Sequence, residues 1–398
     1  MSYRAPVILA IAIALIAIAA EFGLRLYPDV RPSRTQDQIE ALQGSNASAD
    51  WFVADEELGF VGAPARRQMV TTPDYQFLSE NDSQGFPNRE PRPGHADIVF
   101  LGDSLIIGTG VGIDKQFTTL LANRYPDSRI VNLGLPGASP QQQLGIFRRY
   151  GRTLAPALVV ATLYVASDVD NAVHYQGWLK SGKRQDYNEY RLSYGIKQRK
   201  AAESNQPLGE SIWTETKRTL RRLAIVEELK YIVRLWWKGQ VDGIRYPDGN
   251  QVLLSIRAQG MLAGGLNQEA FKGIADSFFG ALEELEREVQ SRNARLVVLL
   301  IPSKEEIFAY QSYPDVLNTV KQVRAKLDAM GLTVVDAYPR IRTAAEARNP
   351  YFSRDIHLNA FGNELVADEL AQWLATSGAT RLLGEHRGEL EATRRVAQ

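Results

Sequence analysis

Five apolar runs alternate with amphipathic stretches along most of the chain, and this alternation limits the possible folds more than any other feature. The runs are DIVFLG, RIVNLG, ALVVATLYVA, RLVVLLIP and LTVVDAYP. A short run that is apolar throughout is typical of a strand buried on both faces. Helical spacing between the runs places on shared faces Phe117, Leu120, Leu121 and Tyr125, and then Phe278, Leu282, Leu285 and Val289. The pattern predicts an α/β fold, a flavodoxin-like three-layer α/β/α sandwich with a five-stranded parallel sheet.

The composition excludes several classes of function. Lys plus Arg and Asp plus Glu number 46 each, so the net charge is zero and no overall field attracts nucleic acid. The chain has no cysteine, which excludes disulfides, thiolate catalysis and zinc–thiolate sites. No metal-ligand spacing relates the four histidines, His95, His174, His357 and His386. We therefore expect no nucleic-acid partner, no metal and no other cofactor.

The amino-terminal segment has the composition of a membrane or export signal. An uncharged run extends from Ala5 to Ala20, and as a helix it is about 24 Å long against a hydrocarbon core of about 30 Å. If Glu21 and Arg25 reach the interface beside Tyr27, the segment is long enough for a transmembrane helix. We favour this uncleaved anchor over a signal peptide cleaved near 17–19. The rest of the chain is then expected outside the cytoplasm, on the periplasmic side of the inner membrane.

The pattern divides the chain into four regions. Residues 1–28 form the membrane anchor or signal segment, and 29–93 form a linker followed by a region that packs on the main domain. Residues 94–376 form the α/β domain, which is interrupted by an insertion at about 171–265. A charged tail at 377–398 ends the chain.

One amphipathic helix is predicted within the insertion, over the stretch TLRRLAIVEELKYIVRLWWKG. In one interpretation its apolar face packs on the core through Leu223, Val226, Leu229 and Ile232. In the other, the helix is a lid or lies on a membrane surface, because Trp236 and Trp237 adjoin Lys238.

The first apolar run ends at Gly102, Asp103 and Ser104 and is followed by the sequence LIIGTG. Open α/β folds hold their ligands at the carboxyl ends of buried strands, so Ser104 is a candidate nucleophile. Gly-Asp-Ser is also ordinary turn chemistry. A serine hydroxyl becomes a nucleophile only with a base, a group that orients the base, and oxyanion donors.

Partners for Ser104 occur where other runs end. Gly134 and Gly137 follow the second run and let backbone N–H groups approach a ligand closely. Near the carboxyl terminus, Asp355 and His357 are two residues apart in a loop. This spacing lets the carboxylate orient the imidazole while the other ring nitrogen faces the serine. The alternative is a solvated loop histidine beside a carboxylate at the start of a helix.

Four blocks, in this order, resemble those of the SGNH or GDSL-type hydrolase family: FLGDSLIIGTGV, NLGLPGASPQQQL, YVASDVDN and DIHLNAFGNELVA. The resemblance spans about residues 98–374 and implies the SGNH hydrolase fold. It implies Ser104 as nucleophile, His357 as base and Asp355 as the carboxylate that orients it. It also implies an oxyanion hole made by the backbone N–H groups of Ser104 and Gly137 and by a side chain after the third strand.

The third block differs from the family pattern Gly-x-Asn-Asp, whose asparagine is the third oxyanion donor. The aligned residues are Val165, Ala166, Ser167 and Asp168. Ser167 keeps a donor on a shorter side chain, and Asn171, one turn farther, is a substitute that could contact substrate. Asp168 and Asp170 are interpreted as loop carboxylates.

A subgroup is indicated by the Asp-x-His spacing together with VLLIPSKEEIF at the fourth strand and ENDSQGF before the first. These features resemble the membrane-anchored, extracytoplasmic SGNH proteins allied to alginate O-acetyltransferases, which act on exported polysaccharide. Lys304 lies just beyond a strand, where it either contacts substrate or is a solvated surface lysine.

Three functions remain open at this point. The first is a serine esterase or O-acyltransferase that acts on O-acylated cell-surface or exported polysaccharide, is bound to the membrane through the amino-terminal helix and works beside polysaccharide-modification proteins. The alternative is a catalytically weak or inactive SGNH module that binds glycan or scaffolds a polysaccharide export or modification complex. A lipase-like enzyme is the third.

Overall fold

The structure is a computed structural model that describes residues 4–27, 51–191, 224–267 and 269–397. The strands are β1 (Phe52–Asp55), β2 (Gly59–Gly62), β3 (Arg67–Thr71), β4 (Gln76–Glu80), β5 (Ile98–Gly102), β6 (Ile130–Gly134), β7 (Leu158–Leu163), β8 (Gly243–Arg245), β9 (Gln251–Leu253), β10 (Arg295–Leu300) and β11 (Thr333–Asp336). The helices are α1 (Arg4–Leu26), α2 (Ser104–Ile107), α3 (Phe117–Arg124), α4 (Pro140–Ile146), α5 (Val165–Lys180), α6 (Ala224–Lys238), α7 (Ile256–Ala263), α8 (Glu269–Lys272), α9 (Ala275–Gln290), α10 (Lys304–Phe308), α11 (Asn318–Ala329), α12 (Tyr338–Ala344), α13 (Ala360–Thr376) and α14 (Ala379–Ala397).

The five predicted strands form one parallel sheet in the order β11-β10-β7-β5-β6. If these five strands are numbered 1 to 5 along the chain and read from the β6 edge, their order is 2-1-3-4-5, which is the order of flavodoxin-like folds. The first and third strands, β5 and β7, are neighbours, and the chain leaves the sheet in opposite directions on either side of them. Their carboxyl ends therefore flank the crevice where such folds hold ligands. The predicted α/β fold with a five-stranded parallel sheet is confirmed.

Helices cover both faces of the sheet, and the predicted helix faces point inward. On one side, α3 and α13 pack over the sheet, with Phe117 and Leu121 almost fully buried. On the other side, α4 and α9 pack together, and α9 buries Phe278, Leu282, Leu285 and Val289. Because both faces are covered, the strands can be apolar throughout, as the sequence shows.

Two antiparallel hairpins precede the sheet, β1–β2 and β3–β4, and a third, β8–β9, lies in the insertion. The sequence analysis identified none of them, because their strands are only three to five residues long. Leu58, Phe60 and Phe86 from this part of the chain join the main core. The expected packing region therefore contains defined hairpins, and the linker residues 29–50 lie outside the described residues.

Two predictions about helices need correction. The helix α1 forms over the apolar segment, but within the described residues no helix combines the length and apolar composition that a membrane span requires. The predicted transmembrane helix is therefore not confirmed. In α6, Leu229 and Ile232 are exposed, so the interpretation that packs this face on the core is wrong for these two residues. The helix contacts α1, and the alternative of a lid or a membrane-surface helix stays a prediction. Val226 is half-buried, and Leu223 lies outside the described residues.

Asn88 joins the second hairpin segment to the edge of the sheet. Its amide nitrogen donates to the carbonyl of Asn132 in β6 at 2.8 Å, and its amide oxygen accepts from the Asn132 N–H at 2.8 Å. The same amide nitrogen donates to the buried Asp82 carboxylate. The side chain thus satisfies backbone groups that an edge strand otherwise leaves unpaired.

Replacing Asn88 with alanine is expected to lower the free energy of unfolding by about 2 kcal/mol, because a buried N–H and carbonyl of Asn132 lose their partners. Chemical denaturation measures this change. The control is Asn250→Ala, at an exposed turn where the side chain bonds only to Asp248. A loss for Asn88→Ala no larger than that of the control would show that the bridge contributes nothing.

Candidate active site

Ser104 lies at the carboxyl end of β5 as the first residue of α2. Asp103 caps this short helix, since its Oδ1 accepts from the Leu105 N–H at 2.9 Å. Position 102 requires glycine, because a Cβ there would lie 2.9 Å from the Cβ of Thr162 in β7. The turn thus presents the serine hydroxyl at the crevice between β5 and β7.

His357 and Asp355 come to the serine from a loop that precedes α13. The His357 Nε2 lies 2.7 Å from the Ser104 Oγ, and the His357 Nδ1 lies 2.5 Å from the Asp355 Oδ1. The Asp355 Oδ1 also accepts from the His357 N–H at 2.9 Å. A carboxylate can only accept, so Nδ1 carries a proton and Nε2 is left to accept from the serine hydroxyl. The three predicted residues form one continuous hydrogen-bonded chain.

The electrostatics of the three residues couple the charge of Asp355 to the titration of His357. Burial alone lowers the pKa of His357, but the charge of Asp355, their hydrogen bond and the charge of Asp103 together raise it above its usual value. Burial alone raises the pKa of the Asp355 carboxyl, yet the charge and hydrogen bonds of His357 and the Tyr75 hydroxyl hold it well below the usual range. Asp355 is therefore ionised throughout the range in which His357 titrates.

Two oppositely charged side chains hold the backbone of the loop that carries this pair. The Asp74 Oδ2 accepts from the N–H groups of Arg354 and Asp355 at 2.6 and 2.7 Å. The Lys304 Nζ donates to the carbonyls of the same two residues at 2.7 and 3.0 Å. The peptide groups next to Asp355 are thus fixed on both their donor and acceptor sides.

The position of Lys304 contradicts both sequence interpretations. The residue is fully buried, so it neither contacts substrate nor is a solvated surface lysine. Lys304 follows Ser303, which caps α10. The Lys304 side chain runs inward beneath the loop that carries Asp355. Desolvation lowers the pKa of its ammonium group, while the charges of Glu305, Asp355 and Asp74 oppose that effect.

Tyr75 makes a further contact with the pair and was missed by the sequence analysis. Its hydroxyl donates to the Asp355 Oδ2 at 2.9 Å from a position 280 residues away in sequence. Its ring lies against Phe77 and Phe352, and the residue is buried. Asp74 and Tyr75 occupy the turn between β3 and β4, and only the proline-containing turn sequence TTPDY marked that place.

The oxyanion hole itself stays a prediction, and its three expected donors differ in whether a protein group already accepts from them. Among the described residues, neither the Ser104 nor the Gly137 N–H donates to a protein acceptor, so both remain free for a ligand oxygen. Gly137 has a φ of 66°, a left-handed conformation that glycine adopts without strain. The Ser167 hydroxyl instead donates to the Asp103 Oδ2 at 3.1 Å, so the expected third donor is directed elsewhere.

The other polar residues of this block lie in α5, not in a loop as predicted. Asp168 is fully buried, and its Oδ2 accepts from the Tyr164 N–H at 2.7 Å. Burial raises the pKa of its carboxyl well above the usual value, and the charge of Asp103 adds to this effect. Asp170 lies near Arg257. Asn171 is buried one turn beyond Ser167, and its contact with substrate stays a prediction.

Fold and site together define the class of protein: an α/β protein with a serine, a histidine and an aspartate in hydrogen-bond contact at the carboxyl edge of a parallel sheet. Residues 266–398 match the family model described as the SGNH hydrolase-like domain of acetyltransferase AlgX. The match confirms the resemblance to SGNH hydrolases over these residues, which include the fourth of the four blocks. The matched segment contains Asp355 and His357, and Ser104 lies outside it.

Several solved structures are distantly similar. The acetyl xylan esterase AlAXEase is 13% identical, over 70% of this chain and 98% of its own, with a TM-score of 0.36. A member of the lipolytic G-D-S-L family from Veillonella parvula is 11% identical, over 70% and 98%, with a TM-score of 0.36. The lipase/acylhydrolase from Enterococcus faecalis is 12% identical, over 70% and 94%, with a TM-score of 0.35. Similarity at this level carries no argument about this chain. No curated protein sequence matches the chain.

The contact of Tyr75 with Asp355 predicts a change in the pKa of His357. The Tyr75→Phe substitution removes one donor from the carboxylate, whose charge then attracts the imidazolium more strongly, so the pKa of His357 should rise further. NMR titration of the histidine side chains measures this, with the His357 signal assigned through His357→Gln.

An internal reference and a control variant accompany this titration. His174, whose pKa burial lowers to about 4, should not change. Tyr125→Phe is the matched control, because the Tyr125 hydroxyl donates to the Ala371 carbonyl at 3.1 Å, away from the site. A His357 titration that is the same in Tyr75→Phe and wild type would show that the hydroxyl does not act on the pair.

Proposed function

We propose that the chain is a serine-dependent esterase or O-acyltransferase that works through an acyl-Ser104 intermediate. The observation that carries the proposal is the 2.7 Å contact between the Ser104 Oγ and the His357 Nε2. It places a base within reach of the hydroxyl proton, while Asp355 holds the proton of the other ring nitrogen. This is the arrangement that activates a serine.

The chemistry proceeds in two halves. In the first, the Ser104 Oγ attacks the ester carbonyl carbon while His357 takes its proton, and the carbonyl oxygen gains negative charge. The N–H groups of Ser104 and Gly137 stabilise that charge. The imidazolium then protonates the departing alcohol as the ester bond breaks, which leaves the acyl group on Ser104.

In the second half, His357 takes a proton from an acceptor hydroxyl, which attacks the acyl carbon, and then returns a proton to the Ser104 Oγ. Water as acceptor gives hydrolysis, and a sugar hydroxyl gives transfer. The match to the AlgX acetyltransferase model supports a transfer reaction. Because Ser104 and His357 serve both halves, the same residues support either outcome.

The substrate in this proposal is an O-acylated cell-surface or exported polysaccharide, met outside the cytoplasm. The family description as an acetyltransferase supports an acetyl group, and the apolar sequence of α1 supports export of the chain. In the same proposal the chain stays attached to the membrane near α1 and acts with polysaccharide-modification proteins.

One observation favours a second candidate, an inactive module that binds glycan. The Ser167 hydroxyl donates to Asp103, so in this arrangement it is not available as the third oxyanion donor. Loss of one oxyanion donor raises a barrier by about 2.7 to 4 kcal/mol in serine proteases. The intact contacts among Ser104, His357 and Asp355 favour the enzyme, because glycan binding does not require them.

Ser104 is expected to carry an acetyl group during turnover of p-nitrophenyl acetate. Rapid mixing should give a burst of nitrophenol, and mass spectrometry of the intact chain should find a transient acetyl adduct. Both should vanish in Ser104→Ala and in His357→Gln. Ser291→Ala, at an exposed serine after α9, is the control and should keep both.

The absence of an adduct and of nitrophenol release above the Ser104→Ala background would contradict the enzyme and favour the glycan-binding module. If the adduct forms, adding oligosaccharide separates the two reactions. Faster release with an acetylated sugar product means transfer, and an unchanged rate means hydrolysis.

The proposed location predicts that a bacterial host exports the chain. In spheroplasts, protease added from outside should digest the full chain, and a cytoplasmic marker should stay intact. The replacement of four apolar residues of α1 by lysine should leave the chain protected. Protection of the wild-type chain would contradict an extracytoplasmic location.

A further inference from the structure

The helix α6 has two different faces along its length. Its inward positions are spaced three or four residues apart and are buried or half-buried: Ala224, Glu228, Tyr231 and Leu235. The Tyr231 hydroxyl donates to the Asp242 carboxylate, which ties this face to the segment before β8. The helix ends where Gly239 adopts a left-handed conformation, with a φ of 69°. These contacts fix which side of α6 faces solvent.

The outward face, which we call the apolar stripe, consists of large apolar side chains: Leu229, Ile232, Val233, Trp236 and Trp237. Trp236 is 87% exposed and Trp237 is 86% exposed. A contiguous apolar surface of this kind marks a site that contacts another protein or a membrane. Tryptophan in particular is enriched where an apolar phase meets water.

A row of basic side chains runs beside the apolar stripe. Lys230, Arg234 and Lys238 follow one another at four-residue spacing, and all three are exposed. The acidic Glu228 lies on the inward face and is buried. An apolar stripe flanked by basic residues is typical of a helix that lies in the headgroup region of an anionic lipid surface.

The helix α1 continues this apolar surface. The Ile225 N–H of α6 donates to the Glu21 carboxylate of α1 at 3.1 Å, so the start of α6 lies beside the end of α1. Apolar side chains are exposed on more than one side of α1: Leu9, Ile13, Leu15, Ile16, Ile18, Phe22 and Leu26. A protein groove covers one face of a helix, whereas lipid can cover all sides. The shared surface therefore favours lipid over a protein partner.

We propose that α6 lies on a phospholipid surface, with its apolar stripe in the headgroup and acyl-chain boundary and its basic row on anionic headgroups. This proposal does not depend on the acyl chemistry. Each basic side chain adds to the attraction of an anionic surface, and removal of one should lower vesicle affinity about fivefold.

The test uses the full chain and vesicles of phosphatidylcholine with brominated acyl chains, prepared with and without phosphatidylglycerol. Bromine quenches tryptophan fluorescence on contact. The chain has six tryptophans, so the part of the quenching that the tryptophan double variant loses reports on α6. The wild type should be quenched, and more strongly with phosphatidylglycerol. The double variant Trp236→Ser/Trp237→Ser should lose most of the quenching, and Lys230→Glu should need more lipid to reach it.

Matched controls lie elsewhere on the surface. Val53→Ser/Met69→Ser replaces apolar side chains that are 48% and 55% exposed, and Lys321→Glu replaces an exposed lysine of α11. Both should behave as wild type, and thermal melting checks that all variants are folded. Wild-type chain that is not quenched overturns the proposal, as does quenching that persists in the tryptophan double variant. Self-association without vesicles that the double variant abolishes, together with an unquenched wild type, would instead make the face an interface between copies.

Discussion

The position of one short loop decides whether Ser104 has a base, and two opposite charges hold that loop in place. The Asp74 carboxylate accepts hydrogen bonds from the N–H groups of Arg354 and Asp355. The Lys304 ammonium donates hydrogen bonds to the carbonyls of the same two residues. Burying an ammonium group is costly unless its charge is compensated. Here Asp355, Asp74 and Glu305 supply negative charge around it. The compensation explains why a fully buried lysine is tolerated beneath the candidate site.

The β3–β4 hairpin supplies part of the contacts that hold the loop of Asp355 and His357. It lies outside the parallel sheet, yet its turn supplies both Asp74 and Tyr75. Tyr75 reaches the Asp355 Oδ2, so the oxygen that does not bond to the imidazole also has a donor. A carboxylate with donors on both oxygens has little freedom to rotate away from His357. The region before the sheet is therefore part of the candidate site.

The departure from the family pattern after β7 has a structural consequence. Ser167 donates to Asp103, which lies next to the nucleophile and caps α2 through Leu105. Burial raises the pKa of the Asp103 carboxyl, and the bonds from Leu105 and Ser167 favour its charged form. That charge adds to the field that raises the pKa of His357. Ser167 thus supports the turn that carries Ser104, in place of the oxyanion role that the resemblance implies for its position.

The sequence by itself determined the sheet, because apolar runs between helical stretches leave few ways to bury both faces. The sequence also predicted Ser104, Asp355 and His357 as candidate catalytic residues, since strand ends and the Asp-x-His spacing are local features. Tertiary structure alone decided where Lys304 points, where the Ser167 hydroxyl goes, and that Asp74 and Tyr75 reach the loop. The physical reason is that these outcomes depend on contacts between segments up to 281 residues apart. Local patterns carry no information about which distant groups share a buried space, and packing settles that question.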